Sequence, residues 1–183
     1  MKVTICAASV IAVAFAAAPA LSAQSASESQ VERGKYLVGI TGCHDCHSPK
    51  LPGGMKPDPE RILSGRPQTT KVPSGAPGEV HASEDFTAFT GGWGSTVASN
   101  LTPDPATGLG MRYTEDKFVK AMRTGKKPEG VAIMPPMPVD VYVNMKDEDL
   151  KAIYAYLKTI KPIRNAVRAG VAPPAPAAAP AKK

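Results

Sequence analysis

Residues 43–47 read CHDCH: Cys43, His44, Asp45, Cys46 and His47 in one short run. Two cysteines and two imidazoles so close together imply a site that binds, reduces or attaches something. Three chemistries compete. A structural zinc ion wants four ligands, usually as two close pairs. Cys43 and Cys46 supply one pair, but His81, the only distant histidine, has no second histidine near it. A thioredoxin-like dithiol sits in a βαβ context, and no alternating strand pattern precedes Cys43. The third chemistry is covalent haem attachment, for which C-x-x-C-H is the signature. Its spacing has a physical reason. Cys43 and Cys46 form thioethers with the two vinyl groups of a porphyrin, and His47, the next residue, turns its imidazole to the iron from one face. On this reading His44 and Asp45 are solvent-facing spacers.

The flanking sequence favours the third chemistry. Residues 1–23 carry Lys2, the apolar run VTICAASVIAVAFAAA and the small-residue segment PALSAQ, the pattern of a cleavable secretory signal peptide. Cleavage after Ala20 or Ala23 would export the chain to the periplasm and remove Cys6. The apolar run is short for a span of about 20 residues, so no transmembrane span is expected in the mature chain. Cys43 and Cys46 then remain as a pair in an oxidising compartment. A disulfide between them would close only a tiny loop and stabilise little. The pair is there for a site. At the other end PPAPAAAPAKK, residues 173–183, is too poor in large apolar groups to pack. The organisation expected is a leader (1–23), one domain (24–165) and an Ala/Pro-rich disordered tail (166–183).

Three helices are legible by period. SESQVERGKYLVGITG, residues 27–42, carries a narrow stripe through Val31, Gly34, Leu37, Val38 and Thr41. Gly34 in mid-helix costs about 1 kcal/mol relative to Ala, which close approach of another helix offsets. TEDKFVKAMRT, residues 114–124, has Thr114 as cap and Gly125 as stop. DEDLKAIYAYLKTIK, residues 147–161, has the clearest stripe, in Leu150, Ile153, Tyr154, Leu157 and Ile160, with Pro162 as its stop. Between the first two helices, residues 49–110 hold 10 Gly and 9 Pro in 62 positions and show no sustained period. Yet Leu63, Phe86, Phe89, Trp93, Val97 and Leu101 are too apolar for a plain linker, so a bound cofactor is expected to complete their core.

A carrier of single electrons closes both axial positions of its iron, and Met opposite His raises the potential. Among seven methionines, Met134 and Met137 share the loop VAIMPPMPV, residues 131–139. Its prolines restrict the backbone, so a sulfur there loses little entropy on binding. Spacing alone does not separate the two. Trp93 and the SNLTPD segment, residues 99–104, either cover the haem and contact a propionate or serve as scaffold. Lys117, Lys120, Arg123, Lys126 and Lys127 are either a docking face for an acidic partner or a solvated helix face. The formal net charge of +6 comes without a basic tract or aromatic platform, which excludes nucleic acid as a partner.

Several segments in order, GKYLVGITGCHDCHSP, ILSGRP, SNLTPDPATGLG, FVKAMRTGK, IMPPMP and DEDLKAIYAYLK, are similar to exported bacterial single-haem, class I c-type cytochromes. These are related to the cytochrome domains that serve periplasmic dehydrogenases. The likeness covers about residues 30–165. It implies an all-α fold, class I helices around one covalent haem c, with the Gly/Pro-rich stretch as a long insertion. It implies Cys43 and Cys46 as tethers and His47 and Met137 as the two axial ligands of the iron. It also implies that the first and last helices cross, with Gly34 near Tyr154 or Tyr156. Lys146 stands where the family usually caps the last helix with Ser or Thr, leaving Asp147 as the alternative cap. The function implied is periplasmic electron transfer without catalysis. Its partners are redox proteins on the dehydrogenase or terminal-oxidase side. A free shuttle and the electron-accepting subunit of a dehydrogenase both fit. A haem enzyme or sensor would instead need a labile sixth site and a distal group, for which His81 is the only histidine outside the motif.

Overall fold

The computed structural model describes residues 18–76 and 78–168. Most of the expected leader and nearly all of the expected tail lie outside the described residues. Among the described residues five α-helices occur in chain order: α1 (Ala18–Ile40), α2 (Cys43–His47), α3 (Glu115–Thr124), α4 (Val139–Tyr142) and α5 (Asp147–Leu157). Among the described residues no helix is long and apolar enough to cross a membrane.

The fold is not all-α. Between α2 and α3 the chain builds an antiparallel sheet of three short strands, β1 (His81–Ala82), β2 (Ala88–Gly91) and β3 (Gly94–Val97), in the order β1-β2-β3. Gly91 pairs with Gly94, so Gly92 and Trp93 form a two-residue hairpin loop, the length that best suits twisted strands. The strands are two to four residues long, too short to raise a period-two signal above the surrounding Gly and Pro. The nearest cue was the turn sequence GGWG, flanked by Thr90, Thr96 and Val97.

The expected α3 forms as read. Thr114 Oγ1 accepts from Lys117 N, and Gly125 adopts φ 62° at the end. The last helix stops at Leu157 rather than near residue 161, and Lys146 caps it with no side-chain bond. Its first turn is held instead from outside, since Arg123 pairs with Asp147 and also donates to the Val143 and Met145 carbonyls.

The core joins α1, α3 and α5 through Leu37, Val38, Phe118, Ala152, Ile153 and Leu157, with Leu63 and Leu109 entering from the long connection. The α1–α5 crossing depends on Gly34. A Cβ there would lie 1.9 Å from the Ala152 carbonyl oxygen and 2.9 Å from Tyr156 Cβ, so of the two expected tyrosines it is Tyr156 that adjoins. Arg33 clamps the same crossing through Asp149, with its Nε 2.6 Å from Oδ1.

Backbone cannot yield at this crossing as a flexible side chain would. Gly34→Ala should therefore cost about 3 kcal/mol of unfolding free energy in urea, and Gly34→Leu should not fold. Gly39 is the control: it lies on the same helix with nothing within 4 Å of its would-be Cβ. Gly39→Ala should leave stability unchanged or raise it by about 0.5–1 kcal/mol.

Candidate functional site

The CHDCH run is itself the short helix α2. It enters through Gly42 at φ 74°, a left-handed conformation that glycine adopts without penalty. Cys43 and Cys46 form no disulfide. Burial pushes the Cys43 thiol up, although Thr41 Oγ1 lies 3.5 Å from its sulfur. Burial also pushes Cys46 up, and the Lys50 charge partly offsets this. Asp45 is exposed, as expected of a spacer. His44 departs from that expectation: it is half-buried, and its Nδ1 lies 3.0 Å from Ser48 Oγ.

His47 is fixed by the backbone opposite. Its Nδ1 lies 2.7 Å from the Ser99 carbonyl oxygen. A carbonyl only accepts, so Nδ1 carries the proton and Nε2 keeps its lone pair. Burial lowers the His47 pKa from its ordinary value, opposed by the Ser99 bond. The segment 62–66 holds the turn from the other side. Gly65 N donates to the His47 carbonyl at 2.8 Å, Leu63 N to Ser48 Oγ at 2.9 Å, and Leu101 N to the Leu63 carbonyl at 2.9 Å. Gly65 permits this contact: a Cβ there would lie 2.5 Å from the Ser99 carbonyl carbon.

Cys46 and His47 face a cleft of about 850 Å³, part of it open to solvent. Met134 and Met137 border the same cleft, as does Met122 of α3. Leu101, Leu109 and Phe118 make its apolar floor. Cys43 does not border it and packs instead against the core behind. His81 is elsewhere: its Nε2 bonds Glu79 Oε2 at 2.7 Å on the sheet edge. Met55 and Met111 are exposed. Among the described residues, no three His, Cys, Asp or Glu side chains gather as a metal-binding group, so the zinc reading finds no third ligand.

A second hollow shares a wall with this cleft, and Trp93, Thr96, Arg112 and Lys127 border it. Trp93 Nε1 and Thr96 Oγ1 are buried without a hydrogen-bond partner, a costly state unless a ligand supplies one. Burial, together with neighbouring Arg112, lowers the Lys127 pKa. SNLTPD does both: Ser99, Asn100 and Leu101 border the cleft, and Asn100 braces the chain. The Asn100 amide nitrogen donates to the Ile163 carbonyl at 2.7 Å, and its oxygen accepts from Thr102 N and Oγ1.

A family profile described as Cytochrome c matches residues 31–161. The chain belongs to the cytochrome c family. Among its relatives, the cytochrome c subunit of a quinone alcohol dehydrogenase from Gluconobacter oxydans is 29% identical over 154 residues, 84% of this chain. The cytochrome c subunit of gluconate 2-dehydrogenase from Pantoea cypripedii is 32% identical over 148 residues, 80% of this chain. A diheme cytochrome c-type protein of Cereibacter sphaeroides is 26% identical over 133 residues, 73% of this chain and 37% of its own. The chain spans about a quarter of the length of the two dehydrogenase subunits, 26% and 27%.

The end of α1 before CHDCH and the helix after the Met-bearing loop are joined by Tyr142 of α4, whose hydroxyl donates to the Thr41 carbonyl at 2.8 Å. Burial, helped by the adjoining Cys43, pushes the Tyr142 pKa up to about 12. The unfolded chain ionises this phenol at about 10. The native state therefore holds the proton longer, and stability should fall as pH rises from about 10 to about 12. Tyr142→Phe should cost about 1 kcal/mol at neutral pH and flatten that alkaline fall, read as the urea midpoint against pH.

Proposed function

We propose that the chain is a periplasmic electron-transfer protein with one covalent haem c. In this reading Cys43 and Cys46 are the tethers and His47 and Met137 the axial ligands. The observation that carries it is the convergence, on one apolar cleft, of the C-x-x-C-H turn and the Met-bearing loop. The cofactor supplies a one-electron iron couple whose potential Met ligation raises. The chain's residues set the rest. Ser99 holds the His47 imidazole with Nε2 free to coordinate, and Pro135, Pro136 and Pro138 stiffen the sulfur loop. Leu101, Leu109 and Phe118 exclude water.

The neighbouring hollow fits the acidic end of the same group. Trp93 Nε1 and Thr96 Oγ1 lack partners there, and positive charge comes from Lys127 and from Arg112, which also pairs with Glu129 at 2.9 Å. An amphipathic cavity with an apolar floor and a basic end suits a macrocycle that carries two carboxylates.

With His47 and Met137 both given to the iron, no position would be left for a substrate, and the protein would carry electrons without catalysis. A redox partner on the dehydrogenase side follows from what the relatives are named for, and the two forms, free shuttle and complex subunit, share this chemistry. Of the basic cluster around α3, Arg123 is engaged by Asp147 and Lys127 is half-buried at the cleft. Lys117, Lys120 and Lys126 are exposed and form the steering face in this reading. Export rests on the leader pattern of residues 1–23, and the extent of the domain, 24–165, on the family likeness.

The holo-protein should carry one iron per chain and show the near-infrared charge-transfer band of a Met–iron bond. Met137→Ala should abolish that band and Met134→Ala should keep it; the reverse result assigns the ligand to Met134. A high-spin ferric resting state in the wild type would instead point to an enzyme or sensor. Reversing Lys117, Lys120 and Lys126 to Glu should slow electron exchange with an acidic partner roughly tenfold at low salt, with the difference fading as ionic strength rises. Equal rates at low salt would dismiss the steering face. Co-purification of associated chains distinguishes the subunit from the free shuttle.

A further inference from the structure

Lys50 lies three residues after His47 and is only 8% exposed. Its ammonium donates to the carbonyls of His44 at 2.9 Å, Asp45 at 2.8 Å and Ser48 at 2.6 Å. Three N–H bonds thus meet three acceptors at the C-terminal end of α2. A helix of five residues leaves the Asp45 and Ser48 carbonyls without ladder partners, and the His44 carbonyl takes only a long bond from Ser48 N at 3.3 Å. Neutral donors would satisfy them as well, and burying an ammonium is costly. The charge itself therefore calls for an explanation.

Asp85 stands across a surface hollow that Lys50 also borders. Its carboxylate takes hydrogen bonds from Thr70 Oγ1 at 2.6 Å, Ser83 Oγ at 2.7 Å and Thr87 Oγ1 at 2.8 Å. Burial raises its pKa, but these bonds outweigh it and hold the group below the ordinary carboxylate range. Asp85 stays ionised; burial lowers the Lys50 pKa, and its charged form is favoured first by the Asp45 carboxylate of the turn and then, more weakly, by Asp85 from the insertion side.

We propose that Lys50 is a positioning residue and fixed internal charge for the CHDCH turn, opposed by Asp85, and that the pair sets the reduction potential of the site. The inference rests on the reading of His47 as iron ligand. A positive charge beside the turn disfavours the more positive, oxidised iron and raises the potential; the carboxylate lowers it. Both groups are partly shielded from water, so added salt screens them only weakly.

The test compares the holo-proteins of wild type, Lys50→Met, Lys50→Gln and Asp85→Asn by redox titration, with amide hydrogen exchange at residues 45–48 measured alongside. Lys50→Met and Lys50→Gln should lower the potential, changing the reduced-to-oxidised ratio at the wild-type midpoint by up to tenfold, which is about 59 mV for one electron. Asp85→Asn should raise it. Lys50→Met should also speed exchange at residues 45–48 at least tenfold, and Asp85→Asn should not. Loosened packing alone would shift all variants the same way, and that result, or no shift, overturns the proposal. Lys50→Gln keeps two N–H donors and carries the test if the Met variant does not fold. A missing Met–iron band in the wild type would overturn the Met137 assignment while leaving the opposed shifts readable. A chain that acquires no haem would overturn the His47 reading, and exchange at residues 45–48 would still decide whether Lys50 holds the turn.

Discussion

The hydrogen bond from the His47 imidazole to the Ser99 carbonyl, 2.7 Å long and bridging 52 positions of sequence, is the constraint on which the other contacts around the turn depend. It fixes which ring nitrogen keeps a lone pair, and it ties α2 to the exit of β3. The neighbouring backbone bonds repeat the tie: Gly65 N to the His47 carbonyl, Arg66 N to the Ala98 carbonyl and Leu101 N to the Leu63 carbonyl. Segments 62–66 and 98–101 therefore form one wall without belonging to any helix or strand. Leu63 takes a left-handed φ of 56° within that wall, an unfavourable conformation for a branched side chain. Full burial of its side chain and the two bonds to its own backbone offset the strain.

A body with so little regular structure must satisfy its buried backbone by other means. Here small polar side chains do it. Ser48, Asn100, Thr102 and Asn165 are all buried, and each bridges segments distant in sequence. Asn165 donates to the Ser64 and Arg66 carbonyls, both at 2.8 Å, and so closes the end of the described chain onto the wall. Against that background, the buried polar atoms left without partners stand out: Ser64 Oγ, Trp93 Nε1 and Thr96 Oγ1. The last two border the hollow beside the cleft. Satisfaction fails mainly where the proposed cofactor would end.

What could be read from residue order was whatever depends on near neighbours. Thr114 and Gly125 bound α3 because a cap and a left-handed stop act within one turn. The stripe of Leu150, Ile153 and Leu157 placed the buried face of α5, and Gly34 marked a helix crossing before any partner was known. CHDCH and IMPPMP were conspicuous by residue type, and the structure gathers Cys46, His47, Met134 and Met137 around one cleft. The hairpin escaped because four-residue strands among glycines carry almost no period. Thr96, Arg112 and Lys127 escaped as site residues because their place depends on non-local folding. Nothing in residue order marks Lys50; only the curl of the chain brings three carbonyls onto its ammonium.

The sheet missed by that reading changes how the cleft should be understood. A helical fold with a passive insertion would leave the cleft walled by α3 and the sulfur loop alone. Instead β3 contributes Thr96 and Val97 to the wall, and β2 contributes Phe89. The hairpin loop folds the indole of Trp93 back over Gly91 at the end of β2. A Cβ at Gly91 would lie 2.6 Å from that ring, so glycine at this position is what admits it. The β1–β2 turn that brings Asp85 toward Lys50 belongs to the same sheet. One small sheet thus touches the site twice, at its basic hollow and behind the CHDCH turn. The Gly/Pro-rich stretch is better described as the second half of the site's frame than as an insertion between helices.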